Sequence, residues 1–126
     1  MFLYDCVPAP RITSGLYRLA KAGLYKEAFQ LIWNKNPLPS VCGSVCHHPC
    51  EDACKRGLLV DHPLKIRGIK KYLSVTQDID LPKYRKLYDE TIAIIGAGPA
   101  GLTASHYLAS MGYEVTVFES TAEAGG

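Results

Sequence analysis

Apolar residues recur at helical spacing through the first part of the chain, then give way to a strand, turn, helix, strand order near its end. Leu16, Leu19 and Ala20 line one side of a first short helix that Thr13 or Ser14 can cap and Gly23 can stop. A second helix follows, with Leu24, Ala28, Leu31 and Ile32 on one stripe, Phe29 and Trp33 adding bulk, and Asn36-Pro37-Leu38-Pro39 ending it. Residues 13–35 therefore read as a helical hairpin with apolar faces for packing. Pro49 fits the first turn of a further helix, Glu51 and Asp52 suit its positive end, Lys55 and Arg56 its negative end, and Gly57 its stop, which would put Cys50 and Cys54 on one face. After a polar turn at Asp61-His62-Pro63, Ile66, Ile69 and Leu73 mark another amphipathic helix within residues 64–75, and residues 76–89 read as a surface linker.

From Thr91 the period changes. Ile92, Ala93, Ile94 and Ile95 form a short apolar run bounded by glycine, the pattern of a parallel strand buried on both faces. A helix over residues 99–111 and a second strand over residues 113–119 complete a β-α-β unit. Residues 91–113 carry no formal charge and have the length of a membrane span, but Gly96, Gly98, Pro99, Gly101 and Gly112 divide them into strand, turn and helix.

Composition adds limits. In 126 residues, 48% hydrophobic and 21% charged, the makeup is that of a globular chain and excludes a disordered tail. The net charge of +2 gives no basis for a nucleic-acid or anionic-membrane binder. All fourteen basic residues precede Thr91, and the last segment carries only Glu114, Glu119 and Glu123, a split that suggests two segments of different origin. The basic surplus reads first as ordinary solvated helix faces, with balance of cluster or partner charge as the alternative. Residues 1–11 hold an Asp and a Cys where a signal peptide would need a basic start and an apolar run, so a cytoplasmic setting is expected.

Gly96-Ala97-Gly98-Pro99-Ala100-Gly101 matches the glycine fingerprint of a dinucleotide-binding fold, with a strand before it and a helix after. Gly96 allows the tight turn, Gly98 lets backbone approach a pyrophosphate, Gly101 lets the helix pack close to the strand, and the helix N-terminus offers N–H groups to phosphate. Glu119, at the end of the second strand, is placed to accept hydrogen bonds from ribose hydroxyls. Four of the five cysteines, Cys42, Cys46, Cys50 and Cys54, fall at a strict interval of four. Such a set calls for soft-metal chemistry: an iron–sulfur cluster, zinc with His47 or His48 as further ligands, or a redox or simply buried cysteine group. No Cys-x-x-Cys pair supports a thiol–disulfide protein, and His62 and His106 have no partner pattern.

Taken together, Asn36-Pro37-Leu38-Pro39, Cys42-Gly43, Val45-Cys46, Pro49-Cys50-Glu51, Cys54, Pro63-Leu64-Lys65-Ile66-Arg67, residues 94–102, Phe118-Glu119 and Gly125-Gly126 resemble the glutamate synthase small-subunit family. The same module opens dihydropyrimidine dehydrogenase and many FAD-dependent NAD(P)H oxidoreductases. The resemblance runs from about Cys6 onward. It implies an α-helical iron–sulfur (ferredoxin-like) domain over residues 1–80, a linker over 81–89, and from residue 90 the first β-α-β unit of a Rossmann-like FAD-binding domain. It further implies an electron-transfer segment of an NAD(P)H-dependent oxidoreductase subunit that exchanges electrons with a partner subunit. Cys6, Cys46 and Cys50 would be ligands of one [4Fe–4S] cluster, Cys54 of another, and Cys42 a non-ligand. Gly96, Gly98, Pro99, Ala100 and Gly101 would bind the FAD pyrophosphate, Glu119 the adenosine ribose, and Gly125 and Gly126 the cofactor phosphates again.

Three departures shape the expectation. The family's further cysteines upstream of Cys6 have no counterpart here, so the Cys54 cluster is not expected to assemble. An oxygen-bearing ligand of the family falls at Lys70, whose ammonium is no ligand, which leaves Cys42 as the candidate to stand in for it. The chain stops after one β-α-β unit, so it reads as an N-terminal fragment, inactive alone and with weak FAD binding or none. The non-enzymatic alternative is a helical interaction module whose cysteines hold zinc or nothing.

Overall fold

The computed structural model describes residues 10–78 and 83–125, the side chains of residues 10–12 excepted. The expected ligand Cys6 and the expected phosphate contact Gly126 lie outside these residues. The chain divides into two compact units, residues 1–79 and 80–126.

The first unit is helical. Helix α1 (Pro10–Lys21) and helix α2 (Tyr25–Trp33) form the expected hairpin, turned at Gly23 with a left-handed φ of 77°. The expected cap at Thr13 or Ser14 is not one, because the helix is already formed at Pro10 and both residues lie inside it. Helix α3 (Pro39–Val45) starts at the proline that ends the preceding turn, and Asn36 Oδ1 accepts the Leu38 N–H at 2.9 Å to shape that turn. The single helix expected from Pro49 is two short ones, α4 (Pro49–Asp52) and α5 (Lys55–Leu59), separated at Cys54, whose backbone is extended (φ −69°, ψ 116°). Cys50 and Cys54 therefore do not share a helix face. Gly57 lies inside α5 instead of stopping it, and a Cβ there would stand 2.8 Å from Pro63 Cδ and 2.9 Å from Pro63 N.

Helix α6 (Ile66–Thr76) packs on α2 and α3. Its stripe of Ile66, Ile69 and Leu73 is the one its spacing predicts, and Leu73 joins Leu16, Ala28, Phe29 and Ile32 in a buried core edged by Leu19, Leu31, Trp33 and Ile69. The α3–α6 approach is close: a Cβ on Gly43 would meet Lys71 Cβ at 2.9 Å and Lys71 Cα at 3.0 Å.

The second unit holds strand β1 (Thr91–Ile95), helix α7 (Pro99–Met111) and strand β2 (Glu114–Phe118), with β1 and β2 parallel and in register from Thr91 opposite Glu114 to Ile95 opposite Phe118. Parallel neighbours need a crossover, and α7 is that crossover. Pro99 opens α7, and Gly112, left-handed at φ 100°, closes it with N–H bonds back to Ala109 and Leu108 carbonyls. The strands are not buried on both faces as expected. Exposed and half-buried positions alternate, and Ile95 is 90% exposed, because among the described residues a single helix covers a two-stranded sheet. Residues 83–89 lie against this unit through Leu87 N–H to Gly112 O, a stacked Tyr88–Tyr113 pair and a Lys86–Glu114 ion pair. Among the described residues no helix is long and apolar enough to cross a membrane.

Candidate iron–sulfur and nucleotide sites

The cysteine segment runs from the end of α3 to the start of α5. Cys46 is the C-terminal cap of α3, where the chain turns extended, and its sulfur accepts the His48 N–H at 3.4 Å. His48 is the non-glycine residue with a left-handed backbone among those described (φ 52°), and Pro49 then opens the turn that carries Cys50. Burial pushes the Cys50 thiol up, Lys70 opposes this, and Glu51 and Cys46 add to it, so the net direction is up. Cys54 is 5% exposed, and its sulfur accepts the Leu64 N–H at 3.5 Å. Burial works to raise this thiol, but backbone N–H groups of Leu64, Gly57 and Arg56 together with the Arg56 charge outweigh it and hold the thiol below its ordinary value. Cys42 is exposed.

This donor set suits an iron–sulfur group in chemistry. Cysteine sulfur is a soft donor of the kind such a cluster selects, and backbone N–H groups reach the sulfurs of Cys46 and Cys54. The sulfurs do not form one centre: among the described residues no three His, Cys, Asp or Glu side chains are gathered to hold a metal ion. Cys46 and Cys50 interact electrostatically, whereas Cys54 turns to the loop before α6.

Two residues that spacing alone does not mark out tie this segment down. Glu51 stands in the first turn of α4, the positive end that the sequence assigns it, and its Oε1 also accepts the N–H of Arg67 at 2.7 Å. Arg67 Nη1 in turn donates to the Cys46 carbonyl at 2.9 Å. The signal available in the sequence was Lys65 at the start of α6, a residue with no acceptor to cap the helix it precedes.

In the second unit the glycine turn is built as its residues require. Gly96 is left-handed (φ 95°), and a Cβ on Gly101 would collide with the Gly96 carbonyl oxygen, so both glycines are needed for the turn and for the approach of α7 to β1. Gly98 has an ordinary backbone (φ −70°), and a Cβ there would meet nothing within 4 Å. Its lack of a side chain leaves open space beside the first turn of α7, which no side chain caps. That cradle suits a phosphate. Glu119 closes it from the side: Oε2 accepts the Ala97 N–H at 2.7 Å, and Oε1 accepts the Ser120 and Thr121 N–H groups at 2.6 and 3.0 Å. The Ala97 bond first, then those from Thr121 and Ser120, pull the Glu119 carboxyl down to about 2. Gly125 N–H reaches the Ala97 carbonyl at 2.9 Å, so Ala97, itself 3% exposed, is held at both its N–H and its carbonyl.

A helical unit with a cysteine segment, followed by a β-α-β unit with a glycine turn, defines a two-part class: a cysteine-bearing helical module ahead of a Rossmann-like one. Residues 5–80 match the family described as dihydropyrimidine dehydrogenase domain II, 4Fe-4S cluster, and the chain belongs to that family. Residues 94–126 match the NAD(P)-binding Rossmann-like domain. The chain is 39% identical over 134 residues to the NADP(+)-dependent formate dehydrogenase subunit beta of Moorella thermoacetica, covering 84% of this chain and 18% of that protein. It is 40% identical over 108 residues to the NADPH-Fe(3+) oxidoreductase subunit beta of Geobacter sulfurreducens, with 81% and 16% covered. It is 35% identical over 129 residues to the glutamate synthase [NADPH] small chain of Mycobacterium tuberculosis, with 99% and 26% covered. The chain thus spans between 16% and 26% of the length of these relatives.

Proposed function

We propose that this chain is the electron-transfer segment of an NAD(P)H-dependent, FAD-containing iron–sulfur oxidoreductase subunit working with a partner subunit. The observation that carries the reading is the pairing, in one chain, of a 4Fe-4S family domain whose cysteine sulfurs accept backbone N–H bonds with a Rossmann-like glycine turn whose cradle is open at Gly98. The relatives, named as beta subunits or a small chain of oxidoreductases using NADP(+) or NADPH, support both the chemistry and the partner. The proposed layout is an iron–sulfur domain over residues 1–80, a linker over 81–89 and the opening of the FAD domain from residue 90.

In this reading Cys46 and Cys50, with Cys6, are ligands of one [4Fe–4S] cluster and Cys54 belongs to a second ligand set. Gly96, Gly98, Pro99, Ala100 and Gly101 bring backbone and the α7 N-terminus to the FAD pyrophosphate, Gly125 and Gly126 contact the cofactor phosphates again, and Glu119 accepts from the adenosine ribose. Bound flavin and cluster supply the conversion between hydride and single-electron transfer. The residues of this chain bind and orient those groups, and none of them is assigned as a general acid or base.

The test is anaerobic titration of the intact protein with NADPH and with NADH. Bleaching of the flavin band and of the broad iron–sulfur absorption by either nucleotide is expected. A protein carrying flavin and iron whose spectrum neither nucleotide changes would contradict the reading.

A further inference from the structure

The loop between Cys46 and Cys50 contains a left-handed residue, His48, that has a Cβ, and such a conformation persists only where the surroundings impose it. Within the loop, the His48 N–H bonds to Cys46 Sγ and its carbonyl accepts the Glu51 N–H at 2.8 Å. These bonds are local to the loop, and the Cys46 N–H ties its start to α3 at the Cys42 carbonyl. Its anchorage to α6 comes from Arg67, on the first turn of that helix. Arg67 Nη1 holds the Cys46 carbonyl at one end of the loop, and the Arg67 N–H holds Glu51 Oε1 just past Cys50 at the other. One residue thus bonds both flanks of a cysteine pair from a helix that is itself fixed in the core by Ile66 and Leu73.

Charge strengthens both bonds. Glu51 is a carboxylate accepting from backbone, Arg67 a guanidinium donating to a carbonyl, and both contacts are part-buried. Glu51 also supplies the cap that Lys65 cannot give α6, so the bond that fixes the cysteine loop is the one that starts the helix carrying Arg67. We propose that Glu51 and Arg67 are positioning residues for the metal centre: together they hold Cys46 and Cys50 at the separation and orientation that a cluster needs before it is inserted. The inference rests on the reading of Cys46 and Cys50 as cluster ligands and deepens it.

The experiment compares wild type, Glu51→Ala, Glu51→Gln and Arg67→Met as the full chain purified anaerobically. Iron and acid-labile sulfide per chain, the rate of iron loss to a chelator and the helical circular dichroism are measured. Glu51→Ala and Arg67→Met are expected to lose iron about 10- to 100-fold faster than wild type at unchanged helicity, the range typical of groups that orient metal ligands. Glu51→Gln, whose amide oxygen still accepts the Arg67 N–H, is expected to restore retention to within about 3-fold of wild type. Arg67→Met leaves the cap on α6 intact and decides the question even if Glu51→Ala does not fold. Wild-type retention in Arg67→Met, or Glu51→Gln losing iron as fast as Glu51→Ala, would overturn the positioning role while leaving the cluster reading in place. A wild-type chain without iron would overturn the cluster reading, and this inference with it.

Discussion

At Glu119 the two carboxylate oxygens divide their work: one holds the glycine turn through Ala97, the other orders the segment after β2 through Ser120 and Thr121. The carboxyl is lowered from an ordinary 4.5 to about 2, so its contribution to holding the turn is complete above about 4.5 and is lost as pH falls through about 2. Carboxyl NMR titration is therefore expected to give Glu119 a midpoint near about 2, with the Ala97 amide shift following the same curve; a midpoint at the ordinary glutamate value would contradict the bond. Among the cysteines, Cys46→Ser and Cys50→Ser are expected to abolish iron binding, and Cys42→Ser to retain it, because Cys42 is exposed on α3 outside the anchored loop. Equal iron loss in all three variants would show that Cys42 is recruited. Residue type and spacing singled out the cysteines, the glycines and Glu119, but the bonds that Glu119 accepts from the Ala97, Ser120 and Thr121 backbone were not foreseen. Arg67 and Glu51 were not legible as a pair, since they lie sixteen residues apart and meet only after α4 and α6 are packed.

Elements with a strong local signal came out as the sequence predicts. Helix α7 has its expected bounds because Pro99 and Gly112 punctuate it, α6 follows its apolar stripe, and α2 follows its own from Ala28 on, while Leu24 precedes the helix and is exposed. Helix α3, a short segment with glycine in its interior, was not foreseen. Packing explains the choice: glycine is what lets α3 approach the backbone of α6 at Lys71. Gly43→Ala is accordingly expected to destabilise the first unit by about 1–3 kcal/mol despite the better helix propensity of alanine, read as a lowered denaturation midpoint. An unchanged or raised midpoint would show that the contact yields. Leu73→Ala, at a fully buried position, is expected to cost about 2–5 kcal/mol by the same measurement. The split at Cys54 was also hidden, because the close contact of Gly57 with Pro63 is a property of the folded loop and not of either residue alone. At the glycine turn, Gly98→Val in the intact protein is expected to remove bound flavin by filling the open cradle, and stoichiometric flavin in that variant would contradict the assignment.

Across the whole molecule, two units carry different chemistry and different charge. All fourteen basic residues lie before Thr91, with the cysteines, while the β-α-β unit from Thr91 onward has only glutamates as charged groups. The change in hydrophobic period at Thr91 made this organisation visible in the sequence. The exposure of β1 and β2 was not, because an apolar run announces a parallel strand without saying how many neighbours cover it. That the helical unit is an iron–sulfur domain is tested most directly by iron, acid-labile sulfide and zinc in the anaerobically purified protein. About four iron and four sulfide per chain are expected, with a brown colour and broad visible absorption. A colourless protein holding zinc in place of iron, or no metal at all, would contradict that assignment.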